Sequence, residues 1–83
     1  MGIAKDVLNL VEKRLDPDRV DLESIERMAM TKDVEYVRRN GKKSFTYTSY
    51  EVDPRGAIIV TGMDPDGKEN KSNIEDIKYF EVN

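Results

Sequence analysis

A change in the spacing of apolar residues at Val34 constrains the fold of this chain more than any other feature. Before Val34, apolar residues recur every three or four positions, which is the period of an amphipathic helix. After it, apolar and polar residues alternate, which is the period of a strand with one buried face. The pattern predicts a single α+β domain over residues 1–83, with a helical hairpin over 1–32 and a β-barrel over 33–83.

The N-terminal part is predicted to hold two helices. The first covers residues 3–15 and has an apolar stripe formed by Ile3, Val7, Leu8, Val11 and Leu15. Pro17 ends it, because proline disfavours helical backbone at the preceding residue. Asp21 is expected to cap the second helix, whose buried face is formed by Leu22, Ile25, Met28 and Ala29.

The rest of the chain is predicted to form five short strands. Asn40-Gly41 is typical of a two-residue type I′ hairpin turn, and a bulge near Thr48-Ser49 would bring Tyr50 to the same face as Phe45. Turns are expected at residues 53–56 and 64–67, a central strand at 57–60 and an edge strand at 68–71. One 3₁₀ turn within 72–76 then precedes a last strand at 77–82. This order predicts an antiparallel five-stranded SH3/Sm-like barrel.

The segment from Tyr50 to Asp64, continued at 74–77, resembles the small barrel of WYL domains. In that family a strand ending in proline precedes a strand that reads Trp-Tyr-Leu, and this chain has Ala57, Ile58 and Ile59 there. Asp76 stands where an arginine is usual. The segment is also similar to the C-terminal half of YolD-like proteins. The resemblance implies a ligand-sensing or nucleic-acid-linked regulatory barrel of bacteria or their phages, and it transfers the fold but no site residue.

Composition excludes several kinds of chemistry. The chain has no Cys and no His, so it can form neither a disulfide, a thiolate nucleophile nor an imidazole base. We therefore expect no cofactor, no metal and no enzymatic activity. The missing cysteines favour the cytoplasm, and no apolar run is long enough to span a membrane. A net charge of −3 is unfavourable for binding nucleic acid through bulk charge.

The hairpin around Asn40-Gly41 is the main candidate binding site, because it carries four cations and has tyrosines nearby. The predicted binding residues are Arg38, Arg39, Lys42, Lys43, Tyr36, Tyr47 and Tyr50. The cations would contact phosphates or an acidic protein surface, and the tyrosines would stack on bases or pack on a partner. Alternatively, the tip is a solvated turn whose charges prevent edge-to-edge aggregation. The expected partner is a protein or a short nucleic acid.

One further motif is rejected, and two further hypotheses about function remain open. The acidic residues from 64 onward are arranged like a calcium loop, but Gly67 and Lys68 do not fit one, which favours a simple turn. The chain could instead be a small acidic inhibitor that mimics DNA through Asp16, Asp18, Asp21, Glu23 and Glu26. It could also be a structural domain that forms a homodimer through an exposed edge strand.

Overall fold

One antiparallel sheet and one α-helix make up the part of the chain that the computed structural model describes, which is residues 14–83. The strands are β1 (Arg14–Leu15), β2 (Val34–Arg38), β3 (Ser44–Val52), β4 (Ile58–Met63), β5 (Glu69–Asn73) and β6 (Ile77–Val82). The helix α1 (Leu22–Ala29) lies between β1 and β2, and a 3₁₀ turn (Ile74–Asp76) joins β5 to β6. The order across the sheet is β1-β6-β2-β3-β4-β5.

The sheet is strongly curled, as the position of one tyrosine demonstrates. Tyr36 lies on β2, yet a Cβ atom added to Gly62 on β4 would lie 2.6 Å from its Cε2 atom. Strands two places apart in a flat sheet are separated by roughly 10 Å, which is farther than a tyrosine side chain reaches. The Tyr36 hydroxyl also faces Ser72 on β5, one strand farther. The concave face of the sheet is therefore closed around the Tyr36 ring.

The core fills this concave face, and α1 covers part of it. Its buried members are Leu22, Ile25, Val34, Tyr36, Phe45, Tyr47, Val60, Ile77 and Phe80. Asp21 caps α1 by accepting a hydrogen bond from the Glu23 amide at 3.1 Å, as predicted. Leu22 and Ile25 are buried and Met28 is half-buried, which confirms the predicted face of the helix.

Two bulges keep the apolar residues of the long strands on the concave face. The register between β3 and β4 shifts between Tyr47 and Ser49, which confirms the predicted bulge. A second shift, between Val37 and Arg38 on β2, allows both Ile77 and Phe80 of β6 to point inward. Without these shifts the strict alternation of a strand would place Tyr50 or Ile77 on the outer face.

The two Asp-Pro-x-Gly segments form the predicted turns. Asp53 accepts hydrogen bonds from the amides of Arg55 and Ala57, both at 2.9 Å, through Oδ1. Gly56 has a φ of 86°, in the left-handed region that glycine adopts without strain. Asp64 repeats this arrangement in the next hairpin, where it accepts from the amides two and four residues later. The carboxylates are held by backbone donors, which confirms the turn interpretation of this acidic segment.

The predicted two N-terminal helices and closed five-stranded barrel are wrong. The predicted first helix falls mainly outside the described residues, but its last two residues, Arg14 and Leu15, form β1 and pair with β6. Among the described strands, β1 and β5 lie at opposite edges of the sheet and do not pair with each other, so residues 14–83 form no closed barrel. The described chain is a six-stranded open sheet with one helix. All five predicted strands are present.

Candidate functional site: a basic loop beside a polar cleft

The four predicted cations lie at or just beyond the end of β2. We call residues 38–43 the basic loop. The β2–β3 ladder ends at the pair Val37 and Ser44, and Asn40-Gly41 does not form the predicted type I′ turn, because neither residue has a positive φ. The Arg39 amide instead donates to the carbonyl of Asp76 at 2.8 Å, and its Nε donates to the carbonyl of Glu75, also at 2.8 Å. These two bonds hold the loop against the 3₁₀ turn, and within the loop the Gly41 amide donates to the carbonyl of Arg38 at 3.2 Å.

Each cation of the basic loop has a distinct environment. The Arg38 guanidinium lies 4.8 Å from the centre of the Phe45 ring, a cation–π contact. The Lys43 ammonium lies 3.8 Å from a carboxylate oxygen of Asp64, whereas Lys42 is exposed and has no ion pair within residues 14–83. Ion pairs at the surface are weak and exchange readily. The loop therefore keeps most of its positive charge available to a partner.

The structure does not expose the rings of the predicted tyrosines beside these cations. Tyr36 and Tyr47 are core residues, with 0% and 6% of their surfaces exposed, so neither ring is available to stack on a base. Tyr36 stacks on Phe45, with ring centres 5.4 Å apart. Tyr50 is half-buried and lines a different groove, together with residues of the 16–21 loop and Ile58. The alternation of side chains along a strand could have identified Tyr36 as buried, because Tyr36 lies on the same face of β2 as Val34.

The Tyr47 hydroxyl is used within the fold. It donates a hydrogen bond to Oε1 of Glu26 on α1 and so ties the helix to β3. Burial raises the pKa of the Tyr47 hydroxyl, and the hydrogen bond to Glu26 and its negative charge raise it further. Tyr47 therefore contributes a neutral hydroxyl to the fold at physiological pH.

A polar cleft lies beside the basic loop, where β5 faces the end of β2 without pairing to it. It has a volume of about 310 Å³ and is lined by Arg38, Asn40, Lys71, Ser72, Asn73 and Asp76. Arg38 thus belongs both to the basic loop and to the cleft. Sequence analysis missed the contribution of β5, because nothing in the local pattern of an edge strand indicates which element lies opposite it.

Behind the wall of the cleft lies the hydroxyl of Ser72, which is buried and turned toward the core. Ser72 is 6% exposed, and its Oγ has no hydrogen-bond partner within the described residues. The hydroxyl of Tyr36 faces it and is also buried, but the geometry does not complete a hydrogen bond between them. Burial raises the pKa of the Tyr36 hydroxyl, and the neighbouring Ser72 hydroxyl and Arg38 charge oppose that rise. Buried polar atoms are normally satisfied, so this pair marks an unusual position.

The acidic residues proposed to mimic DNA do not form an uninterrupted stripe. All five are exposed. However, Asp16 accepts a hydrogen bond from a backbone amide of the following turn, and Asp21 accepts one from a backbone amide of the helix that it caps. Arg27 follows Glu23 by four residues on α1, which places a cation on the same helical face. This mixing of charges is unfavourable for a phosphate mimic.

Comparison with protein-family models, with curated proteins and with solved structures finds no match to this chain. The resemblance to WYL-type and YolD-like barrels therefore stays a prediction. Within residues 14–83 no cluster of three or more potential metal ligands is found. In the same part of the chain, no helix is long and apolar enough to cross a membrane.

Proposed function

We propose that this domain is a non-catalytic binding module that recruits an acidic segment of a partner protein to its basic loop. The observation that carries the proposal is the concentration of positive charge at one end of the sheet. The four cations of residues 38–43 stand against a net charge of −3 for the whole chain, so the remaining residues carry −7. Such segregation attracts an anionic group to one place and repels it elsewhere.

A protein partner is favoured over a nucleic acid by the position of the aromatic rings. Proteins that bind single strands combine a basic groove with exposed rings on which bases stack. Here Tyr36 and Tyr47 are buried, and the acidic remainder of the surface would repel a polyanion that extends beyond the loop. A short acidic peptide segment needs neither stacking nor a long basic track. A cytoplasmic location, favoured by the missing cysteines, is part of the proposal.

The test compares two fluorescent probes of equal length and similar net charge, a Glu/Gly peptide and a single-stranded oligonucleotide, by anisotropy at low and moderate salt. One variant replaces the loop cations with glutamine (Arg38→Gln, Arg39→Gln, Lys42→Gln, Lys43→Gln). A matched control removes the same charge from other elements (Arg19→Gln, Arg27→Gln, Lys32→Gln, Arg55→Gln). Circular dichroism confirms that both variants are folded.

We expect the peptide to bind the wild type and the control variant in a salt-dependent manner. Its affinity for the loop variant should be at least tenfold lower than its affinity for the wild type. Equal loss in both variants would show that bulk charge and not the basic loop is responsible, and would refute the proposal. Tighter binding of the oligonucleotide, with the same dependence on the loop, would replace the protein partner with a nucleic acid.

A further inference from the structure

We infer that two copies of this chain associate by each placing the Met30 side chain in an apolar groove of the other. The inference is independent of the proposed function, because the groove and the anchor both lie outside the basic loop. Met30 is the C-cap residue of α1 and is 81% exposed, more than any other large hydrophobic residue of the described chain. Arg27 precedes it by three residues and Lys32 follows it by two, and both cations are exposed. Met30 is therefore an apolar anchor with a positive charge on either side.

The apolar groove lies between the 16–21 loop, the start of α1, the end of the β3–β4 hairpin and the 3₁₀ turn, and has a volume of about 410 Å³. Its apolar walls are formed by Val20, Leu22, Tyr50, Ile58 and Ile74. Leu22 is a core residue, and the other four are half-buried and pack against the core. The groove is thus an end of the core that the chain leaves open. Methionine is unbranched and polarizable, and it fills irregular apolar space of this kind.

The apolar surface continues beyond the groove. Val52 lies opposite Ile58 in the β3–β4 ladder and is 60% exposed. Because directly opposed residues share a face of the sheet, Val52 extends the wall that Ile58 and Tyr50 form. Contiguous exposed apolar surface marks a contact site, whereas single exposed apolar residues need no explanation.

The rim of the groove is acidic. It carries the exposed carboxylates of Asp18, Asp21 and Glu75, and none of the described residues that line it is a lysine or an arginine. Residues 27–33 around Met30 carry two cations and one carboxylate, a net charge of +1. Complementary charges across an interface fix its register and suppress wrong partners. The groove therefore attracts the Met30 anchor and repels the acidic segment that the basic loop recruits.

The positions of anchor and groove along α1 suit a closed dimer. The groove includes Leu22, the first residue of α1, and Met30 directly follows the last, so the two sites are about 12 Å apart along the helix. A two-fold axis that crosses α1 sets the helices of two copies antiparallel and brings each anchor to the other copy's groove. The first turn of α1 carries Glu23 and the last turn Arg27, so this pairing also places acidic ends beside basic ends. A contact built on one side chain from each copy is small, and we expect weak association.

The test measures self-association of the full chain by sedimentation equilibrium over a wide range of concentrations. Met30→Ser removes the anchor. Met63→Ser on β4 is the matched control, because Met63 is also exposed, at 39%, but lies outside the groove. Circular dichroism confirms that each variant is folded.

A pair of charge-reversed chains tests whether the groove and the anchor meet each other. One chain reverses the groove (Asp18→Lys, Glu75→Lys), and the other reverses the surroundings of the anchor (Arg27→Glu, Lys32→Glu). Each chain alone would oppose like charges in its own dimer. In the mixed dimer the reversed groove meets the reversed anchor, and the second contact joins an unaltered groove to an unaltered anchor.

We expect the wild type and Met63→Ser to dimerise with the same dissociation constant. Met30→Ser should dimerise at least tenfold more weakly, because burying a large apolar side chain contributes at least about that factor. Each charge-reversed chain should also dimerise at least tenfold more weakly, and an equimolar mixture of the two should recover the wild-type affinity. The acidic peptide of the preceding test should bind Met30→Ser and the wild type equally, which separates this inference from the proposed function.

Several results would overturn the inference. A wild-type chain that stays monomeric at every concentration, or a dimer that Met30→Ser weakens no more than Met63→Ser, would exclude the anchor. A mixture of the reversed chains that associates no better than either chain alone would exclude the pairing of anchor and groove. Isotope-filtered NMR of mixed labelled and unlabelled chains then identifies what contacts the Tyr50 ring. Contacts to Met30 of the other copy support the dimer, and contacts to residues 1–13 of the same chain would assign the groove to that segment instead.

Discussion

Replacing Gly62 with alanine should destabilise this protein more than a single added methyl group normally does. An alanine Cβ at this position would lie 2.6 Å from Cε2 and 2.7 Å from Cζ of Tyr36, and it would overlap the hydroxyl as well. The Tyr36 ring cannot move away, because Phe45 stacks on one face and Phe80 contacts it edge-on with ring centres 5.9 Å apart. Either the ring leaves its rotamer or β4 shifts away from the core.

The expected loss is at the upper end of the range for overpacked cores, about 3 kcal/mol of unfolding free energy. In a domain of this size each kcal/mol lowers Tm by roughly 4–8 °C, so Gly62→Ala should melt roughly 12–24 °C below the wild type. Thermal and urea denaturation followed by circular dichroism measure both quantities. Gly41→Ala is the matched control, since the nearest atom to its added Cβ would be 4.0 Å away and its φ is not positive.

A double-mutant cycle separates the contact with Tyr36 from any effect on the strand itself. Tyr36→Leu leaves a cavity and destabilises the protein, but it also makes room for the methyl group of Gly62→Ala. The double variant should therefore be more stable than the sum of the two losses by at least 1 kcal/mol. If Gly62→Ala lies within about 0.5 kcal/mol of the wild type, or if the two losses add, the Tyr36 ring does not pack against Gly62 as described.

Three further predictions concern the turns and two titrating groups. Gly56→Ala forces a left-handed φ on alanine and should lose about 1 kcal/mol in urea denaturation, although no atom obstructs the new methyl group; an unchanged midpoint would contradict the turn geometry. The amides of Lys68 and Asp66, then the charges of Lys43 and Lys68, hold the pKa of Asp64 below 3.8, so this carboxylate stabilises the fold above that pH and the contribution disappears as pH falls further. Asp64→Asn should therefore be less stable than the wild type at neutral pH, and its free energy of unfolding should fall less on acidification. Parallel pH profiles of the unfolding free energy in the two proteins would refute this assignment. The pKa of Tyr47 lies above 10.0 in the fold, so its contribution to the unfolding free energy is complete below pH 10 and is lost as the pH rises further. Tyr47→Phe should cost about 1 kcal/mol near neutrality, because Glu26 stays solvated, and it should reduce the loss of stability at alkaline pH.

Local features of the fold could be predicted because local chemistry determines them. The Asp21 cap, the bulge beside Thr48, both Asp-Pro-x-Gly turns and the 3₁₀ turn each depend on a few neighbouring residues. The pairing between β2 and β3 also follows the register expected from the sequence, with Tyr36 opposite Phe45. The type I′ turn was wrong because Arg39 bonds to the distant 3₁₀ turn, and these contacts outweigh the local preference of Asn40-Gly41.

Gly62 illustrates a feature that the sequence signals but does not explain. A glycine inside a strand often marks the close approach of another group, and β4 continues through Gly62 to Met63, whereas the sequence analysis ended the strand at Val60. The approaching group is Tyr36, far away in the chain, and only the curl of the sheet brings it there. Nothing in the spacing of the apolar residues specifies that curl.

The open edge of the sheet and the candidate site have the same structural origin. The sequence predicts an edge strand at 68–71 and places Ser72 in the 3₁₀ segment that follows it. Among the described strands β5 (Glu69–Asn73) is indeed at an edge of the sheet, but it extends through Ser72, and its residues 71–73 border the polar cleft. The bonds from Arg39 to the 3₁₀ turn then hold the basic loop beside that cleft. The edge position of β5 and the bonds of Arg39 together leave a polar cleft beside the cations of the basic loop, and neither contact is visible in the local sequence pattern.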